Sequence, residues 1–186
     1  LSGLPASLDG CRLEGCDLAA LDLRGVSFTG AALKGAKLQG ADLSNAQLAG
    51  ADLSEADLSG ANLTGAVLRA AKLAGASLRS ATMTGVDLRD AVLDEASLIG
   101  ATLHDAVLGW QSAFGADLRG VSLQKSSLTG LDLRGVSLPE TDFSGLSLLG
   151  TVFDGALLDG SSFAGADLTG ASFQGASLRK VSFAGA

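Results

Sequence analysis

His104 is the only histidine in the 186 residues, and Cys11 and Cys16 are the only thiols. A general base, a nucleophile or a metal site would have to be built from these three and from 20 acidic side chains. None has the companions its chemistry requires. Two cysteines five residues apart, with no second pair, do not make a zinc ligand set. The stretch "GASFQG" (170–175) superficially resembles a nucleophile elbow, but its glycines are spaced G-x-S-x-x-G and no histidine lies nearby. G-x-x-x-x-G recurs throughout, yet no copy continues into the Lys-Ser/Thr that a phosphate-binding loop needs. His104 is expected to be a solvated outward side chain, and Cys11 and Cys16 small inward ones. The expectation is a non-enzymatic protein with no catalytic residues, no cofactor and no metal site.

What positions these residues is a repeat of five. A large apolar side chain returns at every fifth residue from 3 to 183, giving 37 slots with no slip in phase. Leu fills 28 of them, Phe six (28, 143, 153, 163, 173 and 183) and Met83 one; only Gly3 and Ala113 depart. Two residues before each slot the chain is usually Ala, and two residues after it Gly stands in 24 of 37 cases. A helix fails this pattern, because five residues advance about 500° and successive leucines would be offset by about 140°. A long flat strand fails as well, since its side chains alternate with a period of two.

The arrangement that satisfies the pattern is three extended residues followed by a two-residue corner. The large residue and the one two before it face inward, and the residue between them faces out. The second corner residue takes a positive φ, the natural place for Gly in a type II turn. Corners that all bend the same way coil the chain into a solenoid, whose turns satisfy one another's backbone groups in parallel ladders. The C-terminal phenylalanines favour an even number of sides. With four, Phe143, Phe163 and Phe183 form one column and Phe153 and Phe173 another on the opposite wall, with leucines between.

The motif A(D/N)LXX, as in "ADLSEADLSGANLTGA" (51–66) and "GADLTGASF" (165–173), resembles the pentapeptide repeat family along essentially the whole chain. That resemblance implies an all-β, right-handed quadrilateral parallel β-helix, here of about nine coils and about 45 Å long at roughly 4.8 Å per coil. It implies one domain spanning 1–186, in which 1–10, with Gly3 and Pro5, is a degenerate capping repeat and 109–115 an irregular coil. It further implies a scaffold for protein–protein interaction. Some members, the Qnr-type quinolone-resistance proteins of bacteria and their mycobacterial relatives, are acidic rods that mimic DNA and occupy the DNA site of gyrase. They make a DNA-mimicking gyrase or topoisomerase binder the alternative function. Such relatives dimerise through an aromatic-rich C-terminal coil, which would make Phe173 and Phe183 a homodimer contact or a cap. The extruded loops of many Qnr-type proteins have no counterpart here, because the phase never slips.

Charge and polarity point to partners. The net charge of −7 argues against a direct nucleic-acid contact and suits a protein with a basic surface. Between Gly135 and Leu178 stand Glu140, Asp142, Asp154, Asp159 and Asp167 with no Lys or Arg, a candidate acidic surface. No apolar run approaches a membrane span, and no signal peptide is visible, which favours the cytoplasm. Elsewhere, outward charges twenty apart alternate in sign: Asp17, Lys37 and Asp57, and Glu14 and Lys34. The one interruption is "AVLGWQSAFGADL" (106–118), where Gln111 takes the small inward slot, Ala113 the large one, and Trp110 and Phe114 nominally outward ones. Either Phe114 turns inward to fill the space above Ala113, or one whole repeat loops out. With Val92 and Val107 nearby, Trp110 and Phe114 make a candidate interaction patch.

Overall fold

The computed structural model describes residues 6–109 and 111–186. Parallel bridges join residues twenty apart all along the rod, from Ser7 with Ser27 to Ser162 with Ser182. At five residues per side, a twenty-residue register makes four sides. We number them from the N-terminus by their inward large residues: the first carries Leu8 and Phe28, the second Leu13 and Leu33, the third Leu18 and Leu38, the fourth Leu23 and Leu43.

Each corner is a tight turn in which the amide after it donates to the large residue before it, as in Cys11 N to Leu8 O at 3.1 Å. The second corner residue has a positive φ at all 35 described corners of this kind, 24 of them Gly and 11 not. At Gly65 there is a second constraint, because a Cβ there would lie 2.6 Å from Asn45 Oδ1. Between corners, backbone bonds run along the rod axis, for example Leu53 N to Lys72 O at 2.8 Å and Lys72 N to Ala51 O at 2.9 Å. The backbone of these coils is thus paired above and below, and the side chains are left to pack the interior.

That interior is Leu over Ala from Ala31 to Leu103, almost all fully buried. Farther along it becomes aromatic. Phe143 and Phe163 stack at 4.7 Å, Phe163 and Phe183 at 5.2 Å, and Phe153 and Phe173 at 4.9 Å, the two columns expected from the spacing. They belong to opposite sides and meet edge to face across the lumen at 5.6 Å, the arrangement aromatic quadrupoles prefer.

Between these regimes the rod has a seam. From Val121 to Thr151 no residue in the small inward slot is Ala; the order is Val121, Ser126, Leu131, Val136, Thr141, Leu146 and Thr151. Pairing to the Ala-lined coil below is kept, as Thr102 with Ser122 and Val107 with Ser127; the loss lies between two coils that both carry these larger side chains. Among the described residues, no ladder bridge joins Ser122 to Asp142 or Ser127 to Ser147. The third side keeps its pairing through Leu118 N to Ser137 O at 3.0 Å and Ser137 N to Ala116 O at 3.3 Å.

The polar residues of this inward column are satisfied by the corners. Ser126 Oγ donates to Leu103 O and accepts from Ala106 N, and Ser161 Oγ donates to Leu138 O at 2.8 Å and accepts from Thr141 N at 3.1 Å. Thr151 Oγ1 donates to Leu128 O at 2.7 Å. A buried hydroxyl here costs little because it finds a corner carbonyl. Residues 1–5, with Gly3 and Pro5, lie outside the described residues, so the proposed capping repeat is seen only from Ala6 onward.

Candidate interaction surface

The outward side chains are positioned by two local devices. In the first, an Asp or Asn just before the large residue accepts the amide two residues on and so caps its own corner: Asp52 from Ser54 N at 3.1 Å, Asn62 from Thr64 N at 3.1 Å, Asp142 from Ser144 N at 2.9 Å. This is the physical reason for the Asp or Asn of the repeat. In the second, a corner residue reaches the coil above. Asp154 accepts Ser172 Oγ at 2.5 Å and Gln174 N at 2.8 Å, and Asp159 accepts Ser177 Oγ at 2.5 Å and Arg179 N at 3.0 Å. These bonds hold the carboxyl groups below their ordinary range: the Ser172 hydroxyl does so for Asp154, the Ser177 hydroxyl for Asp159, and Thr169 for Asp167.

Both devices bear on the expected acidic surface. Asp142 lies on the fourth side and Asp167 on the first, Asp154 is at the corner after the second side, and Glu140 and Asp159 are at the corner after the third. The five acids therefore encircle the rod, and the four aspartates are occupied in corner hydrogen bonds. Glu140 and Asp159 share a shallow groove of about 360 Å³ with Gly160, Arg179 and Lys180, so its charge is mixed.

His104 departs from its expected solvation. It is half-buried, and its Nε2 lies 2.6 Å from Ser122 Oγ in the coil above, the same reach that the corner aspartates make. Cys11 and Cys16 are half-buried free thiols. Among the described residues no group of three or more His, Cys, Asp or Glu could hold a metal ion. No helix among them is long and apolar enough to cross a membrane. Lys34 pairs with Glu55 at 3.1 Å rather than with Glu14, which pairs with Arg12 at 3.4 Å. The long Lys side chain reaches up its own corner to the coil above instead of down to the coil below.

Within 109–115 the departure is confined to the corner that leads into Gln111; the next one, at Phe114 and Gly115, is regular, with Gly115 at φ 70° and Ala116 N donating to Ala113 O at 3.0 Å. Gln111 N donates to Ala91 O at 2.7 Å, a bond that the pattern of Val92 N to Ala71 O would give to residue 112. Gln111 is exposed, where the small inward slot of the flanking coils is buried. The amide side chain leaves the lumen, where it would have been unsatisfied. Ser112 then rejoins the ladder opposite Val92, and Leu93 N donates to Ser112 O at 2.7 Å. Ala113 is buried at 5% exposure.

Phe114 does not turn inward to fill the space above Ala113. It is 71% exposed, the highest value among the large apolar side chains described. Asp94 below fixes its backbone by accepting Ser112 Oγ and Phe114 N, the latter at 2.9 Å, so the corner is locked with its ring outside. Its ring edge reaches toward Gly135 in the coil above, 3.9 Å from where a Cβ would stand. Val107, on the first side, is 44% exposed, and Val92, in the middle of the second, is half-buried. Trp110 lies outside the described residues. At the other candidate contact, Phe173 is half-buried and Phe183 is 41% exposed.

The missed signal around Phe114 is the coil below it. Three of that coil's four left-handed corner positions hold acids in place of Gly: Asp90 (φ 61°), Glu95 (φ 59°) and Asp105 (φ 53°). Their spacing at 90, 95 and 105 was visible in the sequence, although which side each would flank required the four-sided register.

The sequence matches the family described as pentapeptide repeats in eight copies, over residues 6–45, 46–85, 71–109, 116–155 and 147–185. The matches leave out 110–115, the stretch that contains Gln111 and Phe114. No curated protein matches the sequence. Among solved structures, the chain is similar to HetL of the cyanobacterium Nostoc sp. strain PCC 7120, a pentapeptide repeat protein involved in heterocyst differentiation regulation. They share 29% identity over 93% of this chain and 87% of that one, with a TM-score of 0.60. Rfr23 of the cyanobacterium Cyanothece 51142 shares 28% identity over 65% of this chain and 82% of its own, with a TM-score of 0.50. QnrB1, a plasmid-mediated fluoroquinolone resistance protein, shares 16% identity over 92% and 88%, with a TM-score of 0.47. A five-residue repeat, four sides, capped corners and family matches along nearly its whole length identify the chain as a member of the pentapeptide repeat family.

Proposed function

We propose that this protein is a non-enzymatic rod of about nine right-handed coils whose function is to bind another protein, and that the contact is made around Phe114, at the corner that follows the rearranged one. The observation that carries the reading is Phe114, held outward by Asp94 at 71% exposure on a molecule whose other corners are mostly polar or glycine. A large apolar ring fixed in water by its own backbone is a liability unless a partner covers it. The likeness to HetL, a protein involved in regulation, supports a binding role over a catalytic one. The test is affinity capture from extracts of the source organism. Trp110→Ala and Phe114→Ser are expected to keep the melting temperature of the parent and to lose a captured protein. Capture that both variants retain would overturn this placement of the contact.

The dispersal of Glu140, Asp142, Asp154, Asp159 and Asp167 around the rod supports a scaffold over a DNA mimic, which needs its charges aligned along a face. In a supercoiling assay with gyrase, with and without quinolone, the protein is expected to leave the reaction unchanged. Self-association through the coil bearing Phe173 and Phe183 is tested by light scattering: a monomeric mass in solution rules it out.

A further inference from the structure

From the second side of the rod we infer that the partner presents a basic segment bearing an apolar residue, which docks across Val92 and Phe114. This rests on the scaffold reading and adds to it the chemistry of what is bound. The surface is laid out by the stretch "DAVLDE" (90–95), in which Ala91 and Leu93 are buried and the other four residues are at the outer surface. Val92 occupies the centre of the side. Asp90 stands at the corner before it and Glu95 at the corner after it. Phe114 caps it from the coil above, its carbonyl accepting Glu95 N at 2.9 Å, so the ring and that carboxylate share one corner.

Both flanking acids sit in the left-handed conformation that 24 other corners give to Gly. Nine other described corners also place a residue other than Gly there, but Val92 stands on the one side with an acid at both flanking left-handed positions. Asp94, the third acid, is turned to Ser112 and Phe114 N and serves the corner instead.

The cations facing this side fit the same division. Arg89 is held by Asp87 at 2.5 Å and also feels the neighbouring Asp90, and Arg134 is held by Asp132 at 3.1 Å. Arg69 stands at the same corner one coil below Arg89, and Lys72 stands opposite Val92 one coil below. The apolar centre thus has carboxylates at both corners and a lysine beneath it. An apolar residue flanked by Lys or Arg complements the corners, and Lys72 sets the edge beyond which a basic segment does not extend.

The test uses the full chain and two synthetic probes of equal length, one alternating lysine and leucine and one of lysine alone, titrated by fluorescence anisotropy. The lysine–leucine probe is expected to bind the parent at least tenfold more tightly than the lysine probe. Phe114→Ser is expected to weaken it about tenfold, and the double variant Asp90→Asn with Glu95→Gln about fivefold. Glu140→Gln, at a distant corner, is expected to change nothing. Lys72→Gln is expected to tighten binding. Equal binding of the two probes, or no loss in Phe114→Ser and in the double variant, overturns the inference. So does a dimer in light scattering that Phe114→Ser abolishes, since the occupant is then a second copy of the chain. If extracts yield a Phe114-dependent partner while the probes do not discriminate, the scaffold reading stands and the basic partner falls.

Discussion

Asn62 and the aspartates in its position perform the same task with different chemistry. Asn62 Oδ1 accepts Thr64 N at 3.1 Å and Thr64 Oγ1 at 2.7 Å, and its amide donates to Asp42 at 3.1 Å. Asn62→Ala is expected to cost about 1 kcal/mol in a denaturant melt at neutral pH. The aspartates add a pH dependence. The Arg24 side chain beside Asp22 brings that carboxyl down to about 2, and Arg89 and Arg119 lower Asp87 and Asp117 in the same way. Groups whose folded pKa lies below the unfolded value of about 3.9 contribute fully above it and lose that contribution as pH falls through the folded value. Thermal stability is therefore expected to be level from about pH 8 to 5 and to decline between about pH 4 and 2, as a pH series of melts would show. The consensus residues and their inward or outward sense could be read from spacing. That the Asp is a corner cap could not, because its partner is a backbone amide with no signature of its own.

At the level of the corner, eleven residues other than Gly occupy the left-handed conformation, Ala70 at φ 55° among them. Ala70 gains nothing from a polar side chain there, so Ala70→Gly relieves its strain and is expected to stabilise the rod by up to about 1 kcal/mol in a denaturant melt. The inward hydroxyls predict the opposite sign. Ser161→Ala removes the donor to Leu138 O and the acceptor for Thr141 N and is expected to cost about 1–3 kcal/mol. The corner at 109–115 stood out in the sequence, and the exit of Gln111 follows from its polarity. The outward Phe114 did not follow. Counting inward volume favours turning Phe114 in; the hydrogen bonds of Asp94 to Ser112 and Phe114 N, between residues 18 and 20 apart, decide against it.

Over the whole molecule, stability is the sum of coils and of the interfaces between them, and one interface here is thin. Between residues 117–128 and the coil above them, among the described residues, ladder pairing is kept on the third side, through Asp117 and Ser137. The amides of Leu123 and Leu128, which face the missing ladders, are therefore expected to exchange hydrogen faster than those of 53–98, whose ladders are complete on all sides. Uniform protection along the rod would show the seam to be closed in solution. The seam was present in the sequence as seven consecutive non-Ala inward slots. It went unread because each residue is individually acceptable, and the lost pairing appears only where two such coils meet.

The twenty-residue register couples length to azimuth. Duplicating or deleting one pentapeptide keeps every leucine inside, yet it turns all that follows by a quarter of a revolution. A change of five residues between Val92 and Phe114 would leave a sound rod with the ring facing one quarter and its carboxylates another. Gene segments encoding this chain can thus be lost or gained freely in units of five for folding, but only in units of twenty for whatever the rod holds.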